Sequence, residues 1–484
     1  MFRLKSIKNE DKDDIIVSHE RSGVNNNYYT IVTGENGCGK SSLLSKAVNT
    51  YIFNGSERTR ECTVINDSCP IPSRVIAICN ARYNRFALRR TFNDKSKVSY
   101  PNYYIQTDQN IEVGKSLIAT MHDVLREIIC ERLYNEAITP RKSPEQIQRI
   151  RAAFNMVGVQ PYIKMDLIFN KPYIQVIKRI NQAEIDGREL NESIYKSYEK
   201  QYYLWRKMAG VGQDVINFLL DFYNSGISRN SIAGVLSVNL DEMSFVFLEK
   251  TLPVHYIHMA IAVGILCPSK LQVQRTDSLK LVSNHSLSSG QQSMLMNAII
   301  ISVFSKKDTL ICIDEPENSL HPEWQLYYMS FLNDLCQSDL GCHFLIATHS
   351  PQIISGIQSD NGCIVSIIND GFLSKNKYKN KNDDSETFIS AYQELHTVAS
   401  YRRKSVNRQL VDVFKSPGFS NDSIIHRLIL ILTKLTKKIK INSNDKYFLN
   451  EIDGFIRGGR IDEFDPALVV YQQILAISKV GEGR

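Results

Sequence analysis

Residues 34–41 carry the strongest chemical signal in the sequence, because they combine closely spaced glycines with a terminal Lys-Ser pair. The segment, Gly-Glu-Asn-Gly-Cys-Gly-Lys-Ser, follows an apolar β-branched run at 28–33 and precedes a helix-forming run. This is the strand–loop–helix setting of a P-loop, whose glycines let backbone N–H groups converge on phosphate oxygens at a helix start. The sequence therefore predicts a nucleoside-triphosphate site formed by Asn36, Gly37, Cys38, Gly39, Lys40, Ser41 and Ser42.

Two acidic residues follow the apolar run at 309–313, and their position predicts the metal and water chemistry of the same site. Parallel strands present their carboxyl ends to ligands, so Asp314 would join Ser41 in holding Mg²⁺. Glu315 would polarise the attacking water, and Lys40 would reach the β- and γ-phosphates. A strand that ends in Asp-Glu is a weak signal alone and becomes specific downstream of a P-loop.

A third segment, residues 287–292 (Leu-Ser-Ser-Gly-Gln-Gln), stands directly before an apolar helical run at 294–304. A Ser-Ser-Gly at a helix start can point hydroxyl and N–H groups at an anion, although an ordinary N-cap serine is the simpler alternative. The segment resembles the signature sequence of the ABC ATPase superfamily, which binds the γ-phosphate held by the opposite subunit. The resemblance assigns that role to Ser288, Ser289, Gly290 and Gln291.

Further motifs follow in the order that this superfamily would require. His349 ends the apolar run at 343–348 and matches the switch histidine that senses the γ-phosphate. Residues 316–322 (Pro-Glu-Asn-Ser-Leu-His-Pro) resemble the D-loop, which communicates between the two sites of a dimer. Either Gln106 or Gln109 could be the Q-loop glutamine that reaches the metal, and the sequence does not choose between them.

Together these motifs resemble the ABC-type ATPases of the SMC, RecF and overcoming-lysogenisation groups. Among compact members the resemblance is closest to the PtuA family, the ATPases of Septu-type and some retron-type anti-phage systems, on residues 72–79, Arg85-Phe86 and 287–292. It implies ATP and Mg²⁺ as cofactors and a head-to-head dimer or higher oligomer. It also implies a separate HNH-type nuclease partner and, in a retron, a reverse transcriptase with non-coding nucleic acid.

The expected fold is an α/β P-loop NTPase, an ABC-type head with a helical insertion and a helical C-terminal region. The apolar residues change from strand-like runs to helical spacing and back again along the sequence, and these changes divide the chain into four predicted parts. We predict an N-terminal lobe of the head with the P-loop at 1–110 and a helical insertion at 111–265. A C-terminal lobe with the signature and switch histidine follows at 266–370, and a basic helical region at 371–484.

The positive charge of the chain is concentrated in its last part. The 484 residues carry a net charge of +7, and residues 400–484 contain fifteen Lys and Arg against nine Asp and Glu. This imbalance predicts that the C-terminal region contacts a partner protein or nucleic acid, with a merely solvated helix face as an equal alternative. The residues concerned are Arg402, Arg403, Lys404 and Arg408, and the lysines from 434 to 440.

Two other functions remain open from the sequence. A DNA-repair or chromosome-maintenance clamp of the RecF type would bind DNA by itself in an ATP-dependent manner. A nuclease would need a metal site in the tail, whose acids are Glu451, Asp453, Asp462 and Asp465, but neither pair follows an apolar strand. The His255-x-x-His258 pair lies in an apolar stretch and is expected to belong to the core.

The remaining composition indicates where the protein works. The ten cysteines are scattered singly with no Cys-x-x-Cys pair, as expected of reduced thiols in the cytoplasm. Apolar runs fall short of the roughly 18–20 residues that span a bilayer, so no membrane contact is expected.

Overall fold

The computed structural model describes residues 1–8, 14–18, 26–34, 36–52, 62–65, 69–80, 85–86, 104–106, 143–171, 232–250, 252–357, 361–367, 388–389, 393–398 and 417–482, with isolated positions between 121 and 223 and at 408 and 410. The strands are β1 Leu4–Ile7, β2 Ile15–Ile16, β3 Tyr28–Gly34, β4 Cys62–Val64, β5 Arg74–Cys79, β6 Tyr104–Gln106, β7 Val159–Phe169, β8 Gly234–Asn239, β9 Ser244–Lys250, β10 Leu266–Arg275, β11 Leu281–Ser283, β12 Thr309–Asp314, β13 His343–Ala347, β14 Gly362–Ile367, β15 Phe388–Ile389 and β16 Gln393–Thr397. The α-helices are α1 Lys40–Ile52, α2 Pro144–Val157, α3 Val254–Val263, α4 Ser289–Phe304, α5 Pro322–Leu335, α6 Pro351–Ser355, α7 Asp422–Thr436, α8 Ser443–Arg457 and α9 Pro466–Glu482. Two 3₁₀ turns lie at Asn284–Ser286 and Ser338–Leu340.

An eight-stranded sheet forms the centre of the fold, in the order β15-β16-β14-β3-β13-β12-β5-β6. The six strands from β14 to β6 pair in parallel, and β16 and β15 continue the sheet antiparallel. The P-loop strand β3 and the acid-ended strand β12 are thus separated by β13, the strand that precedes His349. The predicted α/β class with a P-loop NTPase sheet is confirmed.

The central strands are buried on both faces, which is why they appear in the sequence as continuous apolar runs. Successive side chains point to opposite faces of the sheet, so Tyr29 and Ile31 of β3 join one core while Tyr28 and Val32 join the other. The first core lies under α4 and α5, and the second lies under α1 and the small sheet β2-β1-β4. Helix α4 is buried continuously from Ser293 to Phe304, since it is enclosed by the first core.

The prediction of a helical insertion at 111–265 is wrong for much of its described part. Strands β7, β8 and β9 lie in this range and form a five-stranded antiparallel sheet with β10 and β11, in the order β11-β10-β7-β8-β9. The alternation of buried and less buried residues along β7 is a strand period, with Val159, Ile163, Met165 and Leu167 pointing into the core. Pro161 masked this period, because it suggested an interruption although it lies inside the strand. Helical spacing was correct at the described positions Met121, Val124 and Leu125, which are helical and buried.

The C-terminal region is only partly helical, which corrects the prediction for 371–484. Strands β15 and β16 belong to the central sheet, with β16 paired to β14. Helices α7, α8 and α9 then form a bundle with a separate apolar core that includes Ile424, Leu428, Ile452 and Ile474. In the described part of the chain, no helix is long and apolar enough to cross a membrane.

A fully buried histidine makes the fold sensitive to acid. His343 at the start of β13 accepts a hydrogen bond at Nδ1 from the backbone N–H of Leu4 (3.1 Å), and its Nε2 lies 2.9 Å from Thr30 Oγ1. Because the Thr30 hydroxyl already donates to the carbonyl of Val17, it accepts from Nε2, so both nitrogens of the neutral ring are satisfied. Burial lowers the pKa of His343 well below its ordinary value, and the nearby charge of Arg3 lowers it further.

We therefore expect the free energy of unfolding to fall below pH 6.5, where His343 takes up a proton only in the unfolded chain. Between pH 6.5 and 5.5 one such group costs about 1 kcal/mol. Substituting Gln for His343 would keep a donor and an acceptor but remove the titration, so urea unfolding of this variant should lack that share of the pH dependence. Above pH 7.5, the free energy of unfolding should change with pH at the same rate in the two proteins. An equal rate of change below pH 6.5 as well would contradict the assignment of this pH dependence to His343.

Candidate nucleotide-binding site

The predicted site residues meet at the carboxyl edge of the central sheet. The P-loop follows β3, Asp314 ends β12, His349 follows β13 and Asn80 follows β5. Backbone hydrogen bonds continue the ladder past the strand ends, from Asn80 N–H to the Asp314 carbonyl (2.9 Å) and from Thr348 N–H to the Val32 carbonyl (3.0 Å). The ends of β5 and β12, and those of β13 and β3, are thereby held side by side at the edge where α/β sheets bind ligands.

The P-loop forms an open cradle. Gly37 and Gly39 have φ angles of 81° and 100°, and a Cβ at either position would meet nothing within 4 Å. Positive φ favours glycine, and the free space leaves room for phosphate oxygens beside the backbone. Lys40 Nζ donates to the carbonyl of Gly34 at 3.1 Å and lies 3.8 Å from Cys38 Sγ. This arrangement fits the triphosphate of ATP.

Ser41 and Asp314 are the residues that could hold a metal. The Ser41 hydroxyl donates to Asp314 Oδ1 at 3.0 Å, which brings two hard oxygen ligands together beside the cradle. Mg²⁺ is commonly bound by one or two such protein oxygens with phosphates and waters, so the pair fits this ion. The described residues contain no cluster of three or more His, Cys, Asp or Glu that could hold a metal.

Burial controls the charge state of the site. Burial, helped by the negative charge of Glu315, raises the pKa of Asp314 to about 6, against the opposing effects of the Ser41 hydrogen bond and the charges of Lys40 and Arg85. Burial likewise lowers the pKa of Lys40. A cation bound between Ser41 and Asp314 would favour the ionised carboxylate.

Glu315 is held in an unusual backbone conformation. Its φ is 49°, in the left-handed region that non-glycine residues seldom adopt, and its N–H donates to the carbonyl of Ala347 at 2.9 Å. Asn318 Nδ2 donates to Glu315 Oε2 at 2.8 Å and also to the Asn80 carbonyl at 3.2 Å. The carboxylate is therefore oriented by the D-loop, as a base that positions a water would need.

Glu317 ties the D-loop to the switch loop. Its carboxylate accepts hydrogen bonds from the hydroxyl of Thr348 (2.8 Å) and from the backbone N–H of His349. Burial lowers the pKa of the half-buried His349, the positive charge of Lys40 adds to this, and the charge of Glu315 opposes it.

The signature segment lies at an exposed helix start. Ser288 caps α4 in a reciprocal capping box with Gln291, whose side chain also donates to the Val157 carbonyl at 3.1 Å. Ser288 and Ser289 are exposed, whereas Gly290 is buried against the D-loop. The N-cap alternative thus describes Ser288 correctly, and it leaves the hydroxyl and N–H of Ser289 free to face another molecule.

Gly290 lies too close to the D-loop to carry a side chain. A Cβ would lie 2.6 Å from the Ser319 carbonyl oxygen and 3.3 Å from the Trp324 ring. We expect Gly290→Ala to force the signature segment away from the D-loop, and ATP hydrolysis to fall at least about tenfold while ATP affinity changes less than about threefold. Steady-state phosphate release and equilibrium binding would measure this, with Ser286→Ala, in the exposed turn before α4, as the control. Undiminished hydrolysis by the Gly290 variant would contradict the contact's importance.

Two predicted glutamines and two residues without a predicted role also belong to the description of the site. Gln106 ends β6 beside β5, only its backbone is described, and Gln109 lies outside the described residues, so the choice between them stays open. Sequence reasoning gave no specific role to Glu317 or Asn318, although both lie in the D-loop motif. The signal for these two residues in the sequence was the concentration of polar residues directly after the Asp314–Glu315 pair.

The tail acids have structural roles. Asp465 is buried, and its two oxygens accept hydrogen bonds from the backbone N–H groups of Ala467 (2.8 Å) and Ser420 (2.9 Å), so it caps the backbone inside the C-terminal bundle. Asp453 pairs with Arg457 at 2.6 Å. The His258 side chain is partly buried, with its ring 5.3 Å from that of Phe245, and the side chain of His255 lies outside the described part of the structure. These contacts leave the nuclease alternative without support among the described residues.

Comparisons with known proteins give one partial family match and a set of similar solved structures. A family model described as "AAA domain, putative AbiEii toxin, Type IV TA system" matches residues 169–355, which include the signature segment, the Asp314–Glu315 pair and His349. No curated protein matches the chain. A solved structure of an SMC head bound to the C-winged helix domain of ScpA is similar at 11% sequence identity, with 76% of this chain and 92% of that chain covered and a TM-score of 0.26.

The strand order, the glycine cradle and the acid-ended strand together define a P-loop NTPase fold. The family model covers strands β12 and β13 of its central sheet.

Proposed function

We propose that the chain is an ABC-type ATPase that binds and hydrolyses MgATP between two heads. The observation that carries the proposal is the pairing of Ser41 with Asp314 at 3.0 Å beside an open glycine cradle, with Glu315 oriented by Asn318. Lys40 would bind the β- and γ-phosphates, and Glu315 would hold the attacking water and accept its proton. The bound Mg²⁺ would neutralise charge on the phosphate oxygens.

The exposed signature supports a site shared between two copies. Ser289 is exposed at the start of a sixteen-residue helix, and Gly290 packs on the D-loop of its own chain. A helix start favours an anion, so in a head-to-head dimer Ser289 would meet the γ-phosphate held by the other copy. The D-loop contact would then couple the arrival of the second head to Glu315, through Asn318 and Glu317.

The activity can be tested on the purified full chain. We expect MgATP to bind with measurable heat, and phosphate release per chain to rise with protein concentration as dimers form. Hydrolysis that is proportional to chain concentration from nanomolar to micromolar would count against a shared site. Absence of both binding and hydrolysis would overturn the proposal.

We further propose that ATP turnover regulates a separate nuclease in an anti-phage complex. The support is the resemblance of residues 72–79, Arg85-Phe86 and 287–292 to the PtuA family, together with a tail that has capping acids in place of a metal site. A Septu-type system would pair the ATPase with an HNH-type nuclease, and a retron would add a reverse transcriptase and non-coding nucleic acid. Tagging the chain in its native cell and identifying the proteins that co-purify would test this, and recovery of the chain without any nuclease would contradict it.

The C-terminal bundle offers a basic surface for such an assembly. Residues 427–446 contain six Lys or Arg and a single acid, Asp445, which is already bound to Lys434 at 2.7 Å. The basic end, defined here as Lys437, Lys438, Lys440 and Lys446, is exposed and lies beside Tyr447, which is 55% exposed. Within the described structure none of these four lysines forms an ion pair, so their charge is available to a polyanion.

We propose that the basic end contacts nucleic-acid phosphates. Replacing the four lysines with Gln should weaken binding of a fluorescent 20-mer and reduce its salt dependence, while ATP hydrolysis is unchanged. Equal affinities for the two proteins would contradict this contact. If the variant still binds the 20-mer but no longer binds the nuclease partner, the basic end contacts an acidic protein surface, and the nucleic-acid assignment is overturned.

A RecF-type DNA clamp is the second candidate, and the same basic end favours it. That function predicts that the purified chain alone binds duplex DNA more tightly with ATP than without it. Equal DNA affinity with and without ATP would exclude the clamp function and leave the regulatory ATPase as the proposed function.

A further inference from the structure

An arginine outside the predicted motifs lies on the first turn of the P-loop helix. The Arg85 side chain donates from Nη1 to Ser42 Oγ at 2.6 Å, and Arg85 is exposed to solvent. Ser42 directly follows Ser41, the candidate magnesium ligand. The guanidinium is therefore located at the rim of the phosphate cradle, although Arg85 comes from the segment after β5 and not from the P-loop.

Two contacts fix this arginine on helix α1. The neighbouring Phe86 is only 4% exposed and packs in the second core, which includes Leu43 and Ala47 of α1. The Ser45 hydroxyl donates to the backbone carbonyl of Arg85 at 2.8 Å, one turn along the helix. These contacts hold the backbone of residues 85 and 86 on α1, so the Arg85 side chain can leave Ser42 by a change of rotamer without movement of the helix.

We propose that Arg85 is a nucleotide-binding residue whose guanidinium pairs with the α- and β-phosphates of the bound nucleotide. The inference rests on the proposed ATPase function and adds a contact that the motifs do not assign. Ser42 holds the Arg85 side chain at the rim of the cradle. On nucleotide binding, the planar fork of the guanidinium would exchange one bond to a neutral hydroxyl for paired bonds to negatively charged phosphate oxygens.

The position favours the α- and β-phosphates over the γ-phosphate. The γ-phosphate end of the cradle is already surrounded by Lys40, Glu315 and His349, and by the Ser41–Asp314 pair that would hold the metal. Backbone groups at the start of a P-loop helix cradle the α- and β-phosphates, and Ser42 lies at that start. A contact there strengthens binding of ATP and ADP alike, since both nucleotides carry these two phosphates.

The test compares the nucleotide affinities of the wild-type chain and four full-length variants by isothermal titration. Arg85→Ala removes the side chain, Arg85→Lys keeps its charge, and Arg85→Gln keeps a donor for Ser42 without charge. Arg149→Ala is the matched control, because Arg149 is a half-exposed arginine on α2 that pairs with Glu145 away from the cradle. We expect Arg85→Ala and Arg85→Gln to raise the Kd for both MgATP and MgADP by roughly 10- to 30-fold, as loss of a charge-assisted bond would.

The outcomes separate an anion contact from a brace on the helix. Partial recovery by Arg85→Lys, with an unchanged ratio of the ATP and ADP affinities, would support the inference. Recovery by Arg85→Gln would show a structural brace and overturn it, as would a loss confined to ATP or wild-type affinity in Arg85→Ala. A wild-type chain that binds neither nucleotide would instead overturn the proposed ATPase function.

Discussion

Replacing Glu315 with Gln is expected to reduce ATP hydrolysis by about two to three orders of magnitude while ATP still binds. The amide preserves the size of the side chain and can still accept a hydrogen bond from Asn318, which now lies 2.8 Å from the carboxylate. It cannot accept the proton of the attacking water, so the chemical step is lost and the dimer remains closed on ATP. Single-turnover hydrolysis and size-exclusion chromatography with MgATP would measure the two effects.

The matched control for this variant is Glu323→Gln, which changes an exposed acid in the first turn of α5 close to the D-loop. Its hydrolysis rate should stay within about twofold of the wild-type rate, as expected for a surface substitution. A Glu315→Gln chain that hydrolyses ATP at the wild-type rate would remove Glu315 from the reaction and leave the site as a nucleotide sensor.

Replacing Lys40 with Ala should weaken MgATP binding by at least about 30-fold, because the P-loop loses its only side-chain cation among residues 34–42. The ammonium donates to the Gly34 carbonyl at 3.1 Å, so the substitution removes a brace of the loop as well as a phosphate contact. We expect the unfolding temperature without nucleotide to change little, and the stabilisation that MgATP gives the wild-type chain to disappear. Thermal unfolding with and without MgATP is the measurement.

Lys46→Ala on the same helix provides the comparison, since it removes a lysine one and a half turns beyond the cradle. It should retain the shift in unfolding temperature that MgATP produces. An equal shift in the Lys40 variant would mean that MgATP stabilises the chain at another place.

The motifs could be predicted from sequence because each one combines a local pattern with a local structure. The apolar runs before Gly34 and Asp314 are strands buried on both faces, and the helix after Lys40 follows directly from its sequence. Contacts between residues far apart in the sequence could not be predicted in this way. The contacts of Ser41 with Asp314 and of Arg85 with Ser42 join residues 273 and 43 positions apart, which no local period encodes.

The errors have physical causes in the strands of the second sheet and of the tail. Strand β7 alternates clearly, but Pro161 within it suggested a break, and Pro268 in β10 lies where the register shifts at a bulge. Strands β15 and β16 are short and complete the edge of a sheet whose other members come mostly from the first 370 residues. Their pairing depends on β14, so their own composition gives little signal.

The central claim is that each ATP is bound by the P-loop of one chain and completed by the signature segment of another. Mixing two inactive chains tests it most directly: Lys40→Ala, which fails at its own P-loop, and Ser289→Arg, which blocks the exposed helix start. A mixed dimer contains one site with both defects and one intact site. Equal mixing should therefore restore about a quarter of the wild-type rate of phosphate release, since about half of the dimers are mixed and each has one working site. Activity that never exceeds the sum of the two separate variants would contradict a site shared between chains.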